Sequence, residues 1–295
     1  MQKALDHAIM LQETKENPDI KSCYYVEDHP YENYLSNNSW ETFKTDMKTH
    51  YCKAYDQYIL GGGKEMEERQ IGNYKYPPKM ASFGSSSRMI YNLMKSNNEF
   101  LYEKKLPTTI GGIANLDGFL ETKEKCVFVE AKCREPYGAK SKDIADKYKE
   151  LYCFISKSSN NNLICNITTK GNGKMEVDFI SDQTQIHHFD IKQMICHLLG
   201  VATAYLNGKY DKKIDFIYLL YNPTNLHIEP DSVREKIFNI YNAECMECQS
   251  IDFNGLFFDI LDFLTKTSKI DNKSDITKIS ALFSFRMCDQ YTMSV

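Results

Sequence analysis

Three charged residues, Asp117, Glu130 and Lys132, stand where the sequence predicts two buried β-strands. The segments Ile113 to Leu120 and Cys126 to Lys132 each have the pattern of a strand, and a polar turn separates them. The apolar run Val-Phe-Val just before Glu130 is typical of a strand that is covered on both faces. Because an unpaired charge is costly to bury, such a strand continues into charged residues only if they have partners. The sequence therefore predicts a hairpin with a charged site built into it.

Glu130 and Lys132 point to the same side of their strand, because successive side chains alternate between faces. With the turn centred on Lys123 and Glu124, Asp117 lies directly opposite Glu130, where the two Cβ atoms are about 4.5–5.5 Å apart. Two carboxylates this close repel unless a cation lies between them, and Mg²⁺, which prefers oxygen ligands, suits that position. The Lys132 ammonium would lie beside the ion, near a phosphate or the water that attacks it. The chemistry predicted is metal-assisted hydrolysis of a phosphodiester.

This arrangement resembles the PD-(D/E)XK nuclease superfamily, whose core is a helix, a three-stranded meander, a second helix and a final strand. Its Asp lies on the second strand and its Glu-x-Lys on the third, matching Asp117, Glu130 and Lys132, while Leu116 replaces the proline that sometimes precedes the Asp. A narrower resemblance, to a bacterial group of restriction-endonuclease-like proteins, covers the chain from Trp40 to Asn222. The blocks that carry it are GGGKEME from Gly61, PPKMASFGSSSRMIYNL from Pro77, YEKKLPTTIGG from Tyr102 and FVEAKCREPY from Phe128. The fold implied is α/β, a mixed sheet flanked by helices with helical extensions.

The resemblance also implies roles for the motif residues. Asp117 and Glu130 bind Mg²⁺, for which Mn²⁺ can substitute, and the backbone carbonyl of Ala131 is a third ligand. Lys132 stabilises charge on the attacking hydroxide or on the scissile phosphate. The function implied is a metal-dependent nuclease that acts on DNA rather than RNA.

Three further residues are candidates for the same site. Glu65 lies in the block that resembles the start of the family's first-helix region, which can supply an extra carboxylate. Glu103 interrupts the first predicted strand, Leu101 to Leu106. Gln193 lies on the predicted helix Asp190 to Leu206, as in nucleases with a glutamine there, and His197 lies four residues later on the same face.

Simpler interpretations exist for these residues. Asp117 can cap a turn before Gly118, and Glu130 with Lys132 can form a solvated pair on an edge strand. At the level of function, the alternatives are a catalytically inert restriction-endonuclease-like module that binds nucleic acid or another partner, and a phosphohydrolase of small nucleotides. A wide basic groove favours the nuclease, and a closed pocket favours the phosphohydrolase.

The net charge of −4 argues against indiscriminate binding of nucleic acid, although phosphate contacts need only a local basic face. A candidate face follows the motif and comprises Lys132, Arg134, Lys140, Lys142, Lys147 and Lys149. No apolar run approaches the ~18 residues that span a bilayer, and the first residues do not have the pattern of a signal peptide. We therefore expect a cytoplasmic protein whose partner is nucleic acid, with no membrane association; a homodimer is left open.

The pattern divides the chain into three parts. Residues 1–39 form an N-terminal accessory segment, residues 40–225 the nuclease core with an inserted loop at 158–187, and residues 226–295 a mostly helical extension. One helix is predicted from Trp40 to Leu60, ended by the glycines that follow it. Cys245 and Cys248 form a CxxC without the second pair that a structural zinc site needs.

Overall fold

The computed structural model describes residues 1–24, 33–61, 64–138, 142–267 and 276–293. Its α-helices are α1 Gln2–Glu16, α2 Asn37–His50, α3 Cys52–Leu60, α4 Ser86–Met94, α5 Lys149–Lys157, α6 Ile191–Leu206, α7 Asp231–Gln249, α8 Phe253–Thr267 and α9 Ile276–Ala281. Its strands are β1 Ser22–Tyr24, β2 Asn33–Leu35, β3 Arg69–Ile71, β4 Tyr74–Tyr76, β5 Leu101–Pro107, β6 Ile113–Glu121, β7 Lys125–Lys132, β8 Asp143–Ile144, β9 Leu163–Thr169, β10 Met175–Ser181, β11 Thr184–Gln185, β12 Lys213–Leu220 and β13 Phe283–Asp289.

The central sheet has five strands in the order β13-β12-β7-β6-β5. Strands β5, β6 and β7 form an antiparallel meander, whereas β12 runs parallel to both β7 and β13. The protein is therefore mixed α/β, with a mixed sheet flanked by helices, as the sequence predicts. The predicted strands of the meander are confirmed, with bounds that differ from the observed ones by one residue.

Alternating residues of β7 pack into two separate apolar cores, one on each face of the sheet. Phe128 lies in the core formed with α6 and α8, which also contains Leu198 and Phe257. Val127 and Val129 lie in the core formed with helices α1 to α4 and α7. All three β7 side chains are fully buried, which is the environment that the Val-Phe-Val run predicts. Since Glu130 continues the Phe128 side of the strand, it points towards α6.

Two features differ from the sequence prediction. The predicted helix from Trp40 to Leu60 is two helices, because the backbone of Tyr51 leaves the helical region (φ −132°, ψ 44°). The ring of Tyr51 packs edge-on against Tyr91, with centroids 5.9 Å apart. The apolar periodicity does not reveal the break at Tyr51, because the apolar faces of both helices pack against the same core.

Strand β12 is not the last strand of the sheet, because β13 in the C-terminal region pairs with it along its length. The aromatic residues of β13 stack on α8, with Phe283 against Phe257 at 4.2 Å and Phe285 against Phe253 at 3.7 Å between ring centroids. The predicted helical extension therefore also contributes a strand. Its sequence, FSFRMCD, is short and alternating, and it lies beyond the segment covered by the family resemblance.

The predicted insertion contains a regular hairpin. Strands β9 and β10 pair over seven residues, and β10 also pairs with β8 and β11 in a second, smaller sheet. The carboxylate of Asp259 on α8 anchors the loop ahead of this hairpin, accepting hydrogen bonds from Ser158, Asn160 and Asn161. In the described part of the chain, no helix is both long enough and apolar enough to cross a lipid bilayer.

Candidate active site

The six residues predicted for the site line one cleft at the edge of the sheet, with a volume of about 380 Å³. The cleft lies between the β5–β6–β7 meander, the N-terminal turn of α4 and the side of α6. The predicted residues in its wall are Glu65, Glu103, Asp117, Glu130, Lys132 and Gln193. Residues separated by up to 128 positions in the sequence thus meet at one place.

Asp117 and Glu103 lie next to each other at an irregularity in the sheet. Pairing between β5 and β6 skips these two residues and resumes in the same register beyond them. Glu103 has a φ of 53°, in the left-handed region that a residue other than glycine rarely adopts. Leu116 and Phe119, three residues apart, face the same apolar core, which a regular strand does not allow. Glu103 and Asp117 therefore lie where the alternation of side chains between the two faces of the sheet is interrupted.

The next residue, Gly118, is required by close packing. A Cβ added there would lie 2.1 Å from the Phe100 ring, so the ring occupies the space of a side chain. Beyond this point β6 pairs with β7, and the last paired residues are Gly118 and Val129. Asp117 and Glu130 are one step further along, so they are neighbours without being a regular ladder pair. The predicted register is confirmed, because every pair between β6 and β7 follows it, and the ladder ends one pair before Asp117 and Glu130, at the irregular backbone.

The Asp117 carboxylate replaces the missing backbone pairing. Its Oδ2 accepts a hydrogen bond from the backbone N–H of Ala131 at 2.7 Å. Burial raises the pKa of Asp117 well above its ordinary value, and the nearby charge of Glu130 raises it further, against the opposing effect of Lys132. The negative charge of Asp117 is therefore only partly compensated by Lys132 and by the Ala131 N–H.

Glu130 and Lys132 form a buried ion pair, with side chains only 3% and 9% exposed and 2.7 Å between Oε1 and Nζ. Burial by itself would raise the pKa of Glu130, but Lys132 and His197 outweigh it and lower the pKa to about 2. Burial likewise opposes the charge of Lys132, yet Glu130, Glu135 and Asp117 together raise the pKa of the ammonium above its ordinary value. Both groups are therefore charged at neutral pH.

Gln193 holds the lysine from the other side. Its Oε1 accepts a hydrogen bond from Lys132 Nζ at 2.7 Å, so the ammonium is fixed between Glu130 and the amide. The first turn of α6 sets this position, because the Asp190 side chain accepts a hydrogen bond from the Gln193 backbone N–H and caps the helix. The prediction that Gln193 faces the Asp117–Glu130 pair from the helix is consistent with this contact.

His197 is a member of this cluster that sequence reasoning did not assign to the site. It lies one turn after Gln193 on α6, and its Nε2 is 3.0 Å from Glu130 Oε2. The residue is 3% exposed, and neither ring nitrogen has a partner in hydrogen-bonding geometry. The signal was present in the four-residue spacing from Gln193, which places both side chains on one face of the helix.

The two other acidic candidates lie further along the cleft. Glu65 is 5% exposed and pairs with Lys79 at 2.8 Å through Oε1, while its Oε2 is buried without a hydrogen bond. Glu103 accepts a hydrogen bond from Asn115 Nδ2 at 3.1 Å. Burial, and then the charge of Glu65, raise the pKa of Glu103. The acidic groups in the cleft thus extend from Glu130 through Asp117 to Glu103 and Glu65. The Lys79 cation lies at the Glu65 end of this row.

The basic residues that follow the motif do not form a single free face. Arg134 pairs with Asp6 of α1 at 3.2 Å, Lys142 pairs with Asp178 at 2.5 Å, and Lys147 donates to the Gly111 carbonyl. Lys140 lies outside the described residues. Of the predicted set, Lys132 and Arg134 line the cleft, together with Arg69 and Lys79 from the N-terminal half. Half of the basic side chains that line the cleft therefore come from elements outside the predicted face.

Within the described residues, no group of three or more His, Cys, Asp or Glu side chains is placed to hold a metal ion. Mg²⁺ does not require such a cage, since it is usually held by one or two carboxylates with water and substrate phosphates. The unfavourable charge of Asp117 beside Glu130 fits this kind of donor set. The Ala131 carbonyl as a third ligand stays a prediction. Cys245 and Cys248, both on α7, are free thiols without a zinc-binding group around them in this part of the chain.

No protein-family model matches this sequence, and comparisons with curated proteins and with solved structures give no match either.

Proposed function

We propose that the protein is a Mg²⁺-dependent nuclease with a restriction-endonuclease-like core, and that DNA is its substrate. The observation that carries the proposal is the meeting of Asp117, Glu130, Lys132 and Gln193 in one cleft that has an excess of buried acid. The order α4, β5–β6–β7, α6, β12 also agrees with the order of elements that the resemblance implies. A chain that only needed a stable sheet edge would gain nothing from a second, partly compensated carboxylate placed beside Glu130.

In this proposal Asp117 and Glu130 would hold Mg²⁺, which would supply Lewis-acid chemistry for phosphodiester hydrolysis. Hydrolysis joins the water oxygen to phosphorus and breaks one P–O ester bond. The water loses one proton and the leaving oxygen gains one, so the products are a phosphomonoester and a hydroxyl group. The ammonium of Lys132, held by Glu130 and Gln193, faces the charge that develops on the phosphate oxygens.

His197 has a positioning role in this arrangement. Its ring lies against Glu130 Oε2, on the opposite side of the carboxylate from Lys132, so the Glu130 side chain has a contact at each oxygen. Such outer contacts hold the orientation of a metal-binding carboxylate, and their loss typically costs 10–100-fold in metal affinity or activity.

The direct test is cleavage of labelled single-stranded DNA, duplex DNA and RNA in Mg²⁺, in Mn²⁺ and in EDTA, with small nucleotides included as substrates. Asp117→Asn is the inactive variant, and Asp215→Asn, at the far end of the same sheet, is the matched control. We expect metal-dependent cleavage of DNA that Asp117→Asn abolishes and the control retains. Release of phosphate from small nucleotides alone would instead support the phosphohydrolase.

Metal binding is tested separately by the melting temperature during titration with Mn²⁺. Because an ion that binds only the folded state stabilises it, the parent protein should melt at a higher temperature as Mn²⁺ is added. Asp117→Asn should show a smaller rise and Asp215→Asn the same rise as the parent. Equal responses in all three proteins, combined with no cleavage, would support the inert module.

A further inference from the structure

A second cavity, of about 440 Å³, lies directly beside the active-site cleft. Asn115 and Gln193 line both spaces, so their side chains form the partition between them. The second cavity is bounded by the start of β6, by the segment from β8 to α5 and by the first two turns of α6. A group bound there is therefore next to whatever the cleft holds.

The walls of this cavity are aromatic and apolar away from the partition. Tyr148 and Tyr152 lie on one side, with ring centroids 6.1 Å apart and an angle of 31° between the rings. Tyr152 is 1% exposed and forms the buried floor, whereas Tyr148 is half-buried. The Tyr148 hydroxyl lies 3.0 Å from Cys196 Sγ on α6, and this contact fixes the orientation of the ring. Ile113, which is 60% exposed, lies at the rim.

Polar groups with unused hydrogen-bonding capacity lie at the partition. Asn115 donates to Glu103 through Nδ2, but its Oδ1 is buried and accepts no hydrogen bond. His197 also lines the cavity, and its Nδ1 is buried without a partner. A buried polar atom without a partner is costly, and a ligand that supplies the missing hydrogen bond removes that cost. The cavity thus combines flat aromatic walls with hydrogen-bonding groups at one end.

We infer that this cavity takes an unstacked nucleobase from the nucleotide next to the phosphate in the cleft. The inference rests on the proposed nuclease function, because the cleft provides the site for the phosphate. Bases stack on aromatic side chains and are bound through their edges by amide and ring nitrogen groups, which is the combination of groups here. A phosphate would not suit the cavity, since two of its wall residues, Asp143 and Asp190, are acidic and only Lys192 is basic.

The inference identifies the class of substrate. A base inside a duplex is stacked and paired, and extracting it costs several kcal/mol. A single strand, or a duplex with a frayed or mismatched end, provides the base without that cost. The substrate is therefore nucleic acid with an unpaired nucleotide beside the scissile phosphate.

The test is a binding experiment in EDTA, so that no cleavage occurs, with fluorescent oligonucleotides measured by anisotropy. The probes are a single strand, the same strand with abasic sites throughout, and the corresponding duplex. Abasic probes keep the phosphates and remove the bases, so the parent protein should bind them at least tenfold more weakly than the normal strand. This comparison uses the unmodified protein and does not depend on a variant folding.

Tyr148→Ala then tests the cavity itself. We expect about a tenfold loss of affinity for the normal strand, the size expected for one lost stacking partner, and no further loss for the abasic strand. Tyr148→Phe keeps the ring and should bind within about twofold of the parent. Tyr241→Ala is the matched control, because Tyr241 is also half-buried and its hydroxyl is hydrogen-bonded to a cysteine, Cys245.

The outcomes separate this inference from the proposed function. Equal binding of normal and abasic strands, or a Tyr148→Ala variant that binds like the parent, would overturn the base site even if DNA is cleaved. Base-dependent binding that is lost in Tyr148→Ala, with no cleavage in Mg²⁺ or Mn²⁺, would support the base site and overturn the nuclease. A protein that neither binds nor cleaves any of the probes would overturn both.

Discussion

Strand β7 has charged groups at both of its ends, and the two groups differ in how their charges are balanced. At its start, Asp215 of β12 is paired with two bases, Lys125 at 3.0 Å and Arg286 at 3.2 Å. At its end, the cation of Lys132 is shared among acids that include Glu130 and Asp117. The first group has more base than acid around one carboxylate, and the second has more acid than base.

The two groups differ in how completely their charges are paired and in how much of each side chain reaches solvent. The Asp215 group lies at the rim of the sheet, where each charge has an opposite partner and part of each side chain reaches solvent. In the active-site group, burial and then the nearby charge of Glu130 raise the pKa of Asp117, and Lys132 only partly offsets them. An incomplete pairing in the interior costs stability, so its presence favours a role in binding a cation.

The largest expected difference between the two ends is in catalysis. Lys132→Ala should slow single-turnover cleavage on the order of 10²–10³-fold, because the lysine acts on charge in the transition state. Binding of nucleic acid and of Mn²⁺ should be retained. Lys125→Ala, the same substitution at the start of the strand, should cleave within about twofold of the parent. Cleavage by Lys132→Ala at the parental rate would remove the lysine from the mechanism.

The second difference is in the stability of the metal-free protein, measured by urea unfolding in EDTA at pH 7. Glu130 has a lowered folded-state pKa, so its charge stabilises the fold above its ordinary pKa of 4.5, and this stability is lost as pH falls towards about 2. A shift of that size corresponds to on the order of 3 kcal/mol. Glu130→Gln should therefore lower the free energy of unfolding by that order.

Asp117→Asn should raise the free energy of unfolding in the same experiment, whereas Glu130→Gln should lower it. The raised pKa of Asp117 means that the folded protein is stabilised by the protonated form, and this stability is lost as pH rises through the folded-state pKa. At pH 7 the carboxylate is a net cost, which an amide removes while still accepting the hydrogen bond from Ala131. If both variants were stabilised, or both destabilised, the conclusion that the Glu130 charge stabilises the fold and the Asp117 charge destabilises it would be contradicted.

A smaller effect is expected for Gln193→Ala, which removes one of the contacts that hold Lys132. Cleavage should fall about tenfold, as for other residues that orient a catalytic group, while the melting temperature changes little. Lys209→Ala, an exposed position just after the C-terminal end of α6, is the control for a general effect on the helix. If Gln193→Ala cleaves within about twofold of the parent, the amide does not position the lysine.

The smallest effect is expected at the start of the strand, in the Asp215 group. Arg286→Ala leaves Asp215 paired with Lys125, so the free energy of unfolding should fall by about 0–1 kcal/mol, the range for solvent-accessible ion pairs. Urea unfolding of this variant beside Glu130→Gln measures the contrast directly. A loss as large as that of Glu130→Gln would mean that the two ends are energetically alike.

The elements of the site could be predicted because they depend on local patterns. The alternation of β6 and β7 and the run before Glu130 gave the strands, and the helical periodicity placed Gln193 on the side of α6. The irregularity at Glu103 and Asp117 could not be predicted, since it depends on the packing of Phe100 against Gly118 rather than on either strand's own sequence. Strand β13 depends on a partner far away in the chain, and the aromatic cavity depends on how the segment around Tyr148 folds back over α6.

The N-terminal helix has a consequence for how the protein is made. Glu13 of α1 pairs with Arg88 at 2.6 Å, and Asp6 pairs with Arg134, 128 positions later in the chain. During synthesis α1 therefore leaves the ribosome long before Arg88 and Arg134, the residues with which its two acids pair. Contacts over such separations form slowly, and exposed apolar surface favours aggregation. The two ion pairs that fix α1 beside the motif can therefore form only late in synthesis.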